Sequence, residues 1–252
     1  MDNTQQFSDR VDDYKKYRPN YPSEIIFLLK QQCELNHKTT VADVGSGTGI
    51  FTKLLLPHAK MVYAVEPNDA MRKTAEQLLP DETHFKSVNG TAEDTTLQSD
   101  GLDIVIAAQA FHWFDHERAK REFIRILKEN GHIVLIWNDR NTEQSDFIKA
   151  YEELLLTYIP EYAHVNAHNI PKDVFDHFYY PNTWKLFTFT QCQIFDFDGL
   201  KGRFCSSSYT PKEGHPSYSY VIRKLKHLYE RYQINSTIRF EYMTKVYIGK
   251  HP

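Results

Sequence analysis

Between residues 40 and 138 the chain alternates two hydrophobic patterns. Short, nearly continuous apolar runs at 40–44, 61–65, 84–88, 102–108 and 132–137 read as strands covered on both faces. Between them, apolar residues recur at helical spacing: Ile50, Phe51, Leu54 and Leu55, then Phe123, Ile126 and Leu127. An earlier set, Ile25, Ile26, Leu28 and Leu29, predicts a helix capped by Ser23 and running to about His37. Pro57 is expected to close the second helix. Pro67 is expected to start the third, at a position where its missing N–H costs nothing, and Pro80 to end it. Asp115 should cap the fourth and Gly131 stop it. Strands alternating with helices in this way predict an α/β fold, a doubly wound Rossmann-like sheet that is mostly parallel.

After Asn138 the rhythm changes. Residues 143–159, 171–180 and 217–233 read as helices, and 199–216 as loop and short helix. The runs at 183–196 and 237–249 read as strands that complete a seven-stranded sheet. The helical insertions after strand five should lie over its ligand edge as a cap.

Length and composition narrow the picture. A chain of 252 residues can bury a sizeable core as one large domain. A formal net charge of -3 offers no strong field for nucleic acid or anionic membrane. Cys33, Cys192 and Cys205 form no paired framework, as in a reducing compartment. The N-terminus has no basic, apolar leader pattern, and no apolar run reaches the ~18 residues of a membrane helix. The expectation is a soluble, cytoplasmic protein, a monomer or weak homodimer, whose partner is a small molecule.

The stretch 40–49 carries the candidate chemistry. A strand enters a helix through Gly45, Gly47 and Gly49, so the backbone can approach a ligand closely and offer it free N–H groups. In this fold Asp43, the glycine turn, Glu66 and the loop around Thr91 and Glu93 converge at one crevice. Glu66 lies 17 residues past Gly49, about where a ribose-binding acid falls. The spacing departs from the G-x-G-x-x-G of dinucleotide sites, and Asp43 would repel a phosphate beside the turn. It suits a ligand with an ammonium or sulfonium, namely S-adenosylmethionine, whose demethylated product is S-adenosylhomocysteine. His112 is the plausible general base if the acceptor must lose a proton. His112 and His116 lack a third ligand, so no metal site is expected. An aromatic cap suits a flat acceptor, while Arg18 and Arg203 suit an acid.

Several stretches resemble the class I S-adenosylmethionine-dependent methyltransferases, in particular methyltransferase type 11: residues 41–49, 62–71, 89–93, 103–115 and 127–135. The arm at 14–22 looks like the motif of a subgroup that includes trans-aconitate methyltransferase. The resemblance implies a methyltransferase acting on a small molecule at an oxygen nucleophile such as a carboxylate. It implies that Asp43, Gly45, Ser46 and Gly47 hold the methionine part and Glu66 the ribose. Pro67, Asn68, Met71, Thr91, Ala92 and Glu93 would surround the adenosine. Ala108, Gln109 and Ala110 would face the sulfonium, with Tyr14 and Arg18 closing over that end. Tyr17, Gln109, His112, Trp113 and Tyr209 would meet the acceptor. One domain is expected over 1–252. It has a lid arm at 1–22, an S-adenosylmethionine-binding core at 23–140, cap insertions with a late strand at 141–236, and a last strand at 237–252. Two other classes could use the same fold, an NAD-dependent oxidoreductase and a non-catalytic S-adenosylmethionine-binding protein.

Overall fold

The computed structural model describes residues 17–79, 83–162 and 170–250. Tyr14 and Pro80, both singled out in the sequence, lie outside the described residues. In chain order the elements are α1 (Glu24–Gln32), β1 (Thr40–Val44), α2 (Ile50–Leu55), β2 (Met61–Val65), α3 (Asp69–Leu78), β3 (Phe85–Val88) and β4 (Leu102–Ala108). There follow α4 (His116–Ile126), β5 (Leu127–Arg140), α5 (Asp146–Tyr158), α6 (Lys172–Tyr179), β6 (Trp184–Phe195), α7 (Phe197–Cys205), α8 (Tyr218–Tyr232) and β7 (Ile238–Lys250).

The seven strands form one sheet in the order β3-β2-β1-β4-β5-β7-β6. The first five are parallel; β7 runs antiparallel to β5, and β6 antiparallel to β7. This is the Rossmann-like, mostly parallel sheet expected from the alternation. The chain reverses its winding between β1 and β4, so a crevice opens beyond their carboxyl ends.

Alternate residues of the strands feed two cores. Val41, Ile104, Ile106 and Val134 pack with α1 and α2 on one face. Ala42, Val105, Ala107 and Leu135 pack with α4 and α6 on the other. A third cluster, with Phe147, Tyr151, Leu200, Phe204, Leu225 and Phe240, joins α5, α7 and α8 to the start of β7. Arg140 at the end of β5 pairs with Tyr242, so the first residues of β7 project past the carboxyl edge. The helices on that projection form the cap.

Four expected helix boundaries are corrected. Ser23 does not cap α1: its backbone is already helical (φ -62°, ψ -25°), and its hydroxyl donates to Glu24 at 3.3 Å. The helix stops at Gln32 rather than near His37, because Glu34 turns left-handed (φ 56°) and buries Leu35 against the last turn. Pro67 does not begin α3. Asn68 caps it instead, its side-chain oxygen accepting from the Met71 N–H at 3.0 Å. Gly131 does not end α4, since Leu127 is already extended and pairs with Leu102. Asp115 caps α4 as expected, accepting from the Arg118 N–H at 3.1 Å. Among the described residues no helix is long and apolar enough to cross a membrane.

Candidate active site

The site begins at the end of β1. Asp43 is fully buried, and its Oδ2 accepts from the Thr52 hydroxyl at 2.6 Å. Among the described residues its Oδ1 has no hydrogen-bond partner. Burial pushes the Asp43 carboxyl up to about 7, and the neighbouring Glu66 adds to that, against the Thr52 hydrogen bond. Among the described residues nothing donates to this buried oxygen, and leaving it unpaired is costly.

Three glycines then turn the chain into α2, all with positive φ: Gly45 at 71°, Gly47 at 58° and Gly49 at 81°. At Gly45 a Cβ would stand 2.5 Å from the Ala110 Cβ, so only glycine lets the turn pass beneath the loop after β4. At Gly47 a Cβ would meet nothing within 4 Å, so the open side of the turn faces free space. The Gly45 and Ser46 N–H groups donate to the Val65 carbonyl at 2.9 and 3.2 Å, and the Gly49 N–H donates to the Ser46 carbonyl at 3.0 Å, so these groups tie the turn to the chain rather than standing free as expected. Among the described residues the hydroxyls of Ser46 and Thr48 have no hydrogen-bond partner.

Glu66 locks the turn to the next helix. One carboxylate oxygen accepts from Gly47 N–H and the other from Asn68 N–H, each at 2.8 Å. Burial raises its carboxyl above the ordinary range, against those two bonds and the Arg72 charge. Each oxygen keeps a second lone pair, so a hydroxylated ligand can still donate to it.

Beyond the turn lies a cleft with about 490 Å³ of empty volume, part of it open to solvent. Asp43, Gly45 and Ser46 line it on one side, and Ala108 and Gln109 at the end of β4 on another. Arg18, Pro19 and Tyr21 reach it from the N-terminal segment, and Asn138 and Arg203 from the cap side. Gln109 adopts a left-handed conformation (φ 60°), and its side-chain amide donates to the Asn138 carbonyl at 3.3 Å. The Asn138 side chain is fixed in turn by Thr244 and Gln191, at 2.6 and 2.8 Å.

Of the residues singled out in the sequence, Arg18, Asp43, Gly45, Ser46, Ala108, Gln109 and Arg203 therefore meet in one cleft, with Gly47 and Glu66 joined to it. Asn68, Met71 and Pro67 lie at the start of α3 around Glu66. Thr91 folds its loop by accepting from the Glu93 and Asp94 N–H groups, and Ala92 is buried beside it. Glu93 accepts from the Asp115 N–H at 2.9 Å, binding this loop to the one after β4. Ala110 supports Gly45. His112 and Trp113 sit one turn further on, ring against ring at 4.7 Å, and neither lines the cleft. The other histidine of the pair, His116, stacks on Phe111 at 4.2 Å and contacts its carbonyl. Tyr17 packs on Gly202 of α7, outside the lining. Tyr209 is held behind the cleft, its hydroxyl accepting from Arg140 at 3.2 Å. Burial opposes its ionisation, yet Arg140, Arg203 and Arg18 together hold its phenol below the ordinary value.

Asn138 was not picked out in the sequence, although its place at the end of a predicted strand was a usable signal. Pro19, Tyr21, Ile50 and Phe51 also line the cleft, and nothing in their spacing marked them as site residues.

Comparison with known proteins bears on what such a cleft holds. Residues 42–135 match a family described as a methyltransferase domain. The chain is 32% identical over 136 residues to an uncharacterised methyltransferase-like protein of Schizosaccharomyces pombe, covering 54% of this chain and 52% of that one. An uncharacterised methyltransferase of Mycobacterium bovis is 34% identical over 149 residues, covering 59% and 58% respectively. The chain thus spans about half the length of the curated relatives it matches. Among solved structures, the fold is shared with the YcgJ protein of Bacillus subtilis (TM-score 0.56, 17% identity, 90% of this chain and 97% of that one). It is also shared with a geranyl diphosphate C-methyltransferase of Streptomyces coelicolor, solved with S-adenosylhomocysteine (TM-score 0.52, 14% identity, 91% and 75%). The matched methyltransferase domain runs from β1 to β5 and contains Asp43, the glycine turn, Glu66 and Gln109. Arg18, Asn138 and Arg203 lie outside it.

Proposed function

We propose that the protein transfers a methyl group from S-adenosylmethionine to a small-molecule acceptor, at an oxygen nucleophile such as a carboxylate. The observation that carries this reading is Asp43: a wholly buried carboxylate oxygen without a partner, beneath a glycine turn that opens onto a cleft. A phosphate would be repelled there. A ligand with an ammonium and a sulfonium supplies the missing positive charge, and its adenosine hydroxyls suit the remaining lone pairs of Glu66.

S-adenosylmethionine supplies an electrophilic methyl: an acceptor lone pair forms the new bond as the carbon–sulfur bond breaks, and that electron pair stays on sulfur. The chain's own task is alignment, and such positioning can lower a barrier by roughly 7–11 kcal/mol. Gly45, Ser46 and Gly47 present backbone to the methionine part. Glu66 orients the ribose, and Arg18 closes on the ligand's carboxylate. Ala108 leaves room at the end of β4 where the sulfonium would lie, and Gln109, fixed on Asn138, sets the acceptor side. A carboxylate acceptor needs no base, whereas a hydroxyl or amine would need one.

The test is turnover of methyl-labelled S-adenosylmethionine against carboxylic acids, phenols and amines. Label recovered as base-labile methyl ester is expected. No transfer to any of the three classes, with cofactor bound, would instead favour a non-catalytic binding protein.

A further inference from the structure

The two edges of the sheet are built differently. At one end β3 has four residues, one of them Lys86, and a short charged edge offers a further strand little to pair with. At the other end β6 runs for twelve residues, Trp184–Phe195, paired with β7 along its whole length without a bulge. It holds no proline, and Lys185 is its only charged residue. Among the described residues no strand pairs with its outer edge. A long, straight edge without these protections is a template for another strand, because a row of N–H and C=O groups points outward along it.

The side chains of β6 single out a second copy of the same strand. Leu186, Thr188, Thr190, Cys192 and Ile194 share one face, and all of them are exposed. The two large apolar ones, Leu186 and Ile194, are 45% and 62% exposed. They stand at equal distances on either side of Thr190. A two-fold axis through Thr190, normal to the sheet, sets a second β6 antiparallel to the first. Leu186 then meets Ile194 of the other copy on both sides of the axis, Thr188 meets Cys192, and Thr190 meets itself. On the opposite face Lys185 meets Phe195, Phe187 meets Gln193 and Phe189 meets Gln191. No like charges oppose one another, and both exposed apolar side chains are covered. Shifting the axis by one residue would set Leu186 against Cys192 or Asp196 instead, so the pattern also selects the register.

We propose that β6 is the subunit contact of a symmetric homodimer, two copies of this chain joining edge to edge about a two-fold axis at Thr190 so that their sheets become one. Such a contact is isologous: it closes at two copies and leaves only the short β3 edges free. It stands independently of the methyl-transfer reading, since none of the residues it uses lines the cleft.

The test is analytical ultracentrifugation of the full chain over a concentration series, with cysteine cross-linking to read the register. One chain weighs 29.7 kDa, and the mass should double as concentration rises. L186K and I194K each alter an exposed side chain that counts twice by symmetry. Each should weaken the dimer by about tenfold or more while circular dichroism stays that of the wild type. In a C192S background, T190C should form an intermolecular disulfide under mild oxidation, because the residue on the axis meets its own copy. T188C should form none in that background, and should form one beside the native Cys192. A single-chain mass at every concentration, with no disulfide at T190C, overturns the proposal. Open-ended assemblies, or a dimer that L186K and I194K leave intact, overturn it as well, since β6 would then not be the closed contact between two copies.

Discussion

The proposed function rests on Asp43, and the burial of this residue makes its role measurable. Its carboxyl is pushed up to about 7 in the folded chain, against about 3.9 when unfolded. The folded state thus holds a proton the unfolded state has lost. Stability falls as pH rises from about 4 to 7 and levels above, a penalty of roughly 4 kcal/mol. D43N removes that penalty while its amide oxygen can still accept from Thr52. The variant should gain melting temperature over wild type, by a margin that widens from pH 4 to pH 7, and should lose S-adenosylmethionine affinity. An unchanged margin across that range would contradict the assigned burial. Bound positive charge favours the carboxylate, so wild-type affinity for S-adenosylmethionine should rise between pH 6 and 8 and then flatten.

His112 gives the second residue-scale expectation. Because it lies outside the cleft lining, H112A should keep kcat within about tenfold, whereas loss of a general base costs roughly a hundredfold or more. A loss of that size in single-turnover assays, with cofactor affinity intact, would return His112 to the chemistry.

At the scale of elements, the site is joined by carboxylates that bridge backbone across loops. Glu66 fastens the glycine turn to α3 through Gly47 and Asn68. Glu122 does the same between α4 and the loop after β3, accepting from the Thr95 N–H at 2.8 Å and from its hydroxyl, and pairing with Arg125 at 2.7 Å. Burial opposes the Glu122 charge, but Arg125 and Thr95 outweigh it and hold the carboxyl below its ordinary value. Its contribution is therefore present above the unfolded pKa and fades as pH falls through the folded one. E122A strands the buried Thr95 donors and should cost about 2–3 kcal/mol in urea unfolding at pH 7, less at pH 3. Equal losses at both values would mean the ionised carboxylate is not what holds the loop.

These links also show what the sequence could and could not tell. Continuous apolar runs located the strands closely, because a strand buried on both faces needs apolar residues throughout; the fourth run coincides with β4. Asp43, the glycines and Glu66 were legible because each stands at the end of such a run. Helix ends were harder, since a cap is a matter of backbone conformation. Asn68 and Pro67 are adjacent, and only the structure shows which side chain meets the Met71 N–H. Asn138 reaches the cleft through pairing between β5 and β7, contacts separated by many residues that leave no periodic trace, whereas Arg203 was marked in the sequence as suiting an acid and the packing of α7 brings it to the cleft.

On the scale of the whole molecule, the sheet's two face cores set the crevice, while the third core carries the cap with Arg203 and Tyr209. The two functions should separate under mutation. Phe147 packs on Phe240 and Tyr232 in that third core and stays away from the cleft lining. F147A should cost about 3–5 kcal/mol of stability and leave S-adenosylhomocysteine affinity near wild type at low temperature. A proportionate loss of affinity would mean that the cap core also shapes the cofactor half.

Asp43 and the turn above it are proposed to select a cationic adenosyl ligand. Isothermal calorimetry of the full chain with S-adenosylhomocysteine and with NAD, repeated on D43A, tests it most directly. Micromolar binding of S-adenosylhomocysteine, none of NAD, and loss of the former in a folded D43A are expected. Binding of NAD alone, or unchanged S-adenosylhomocysteine affinity in D43A, would contradict it.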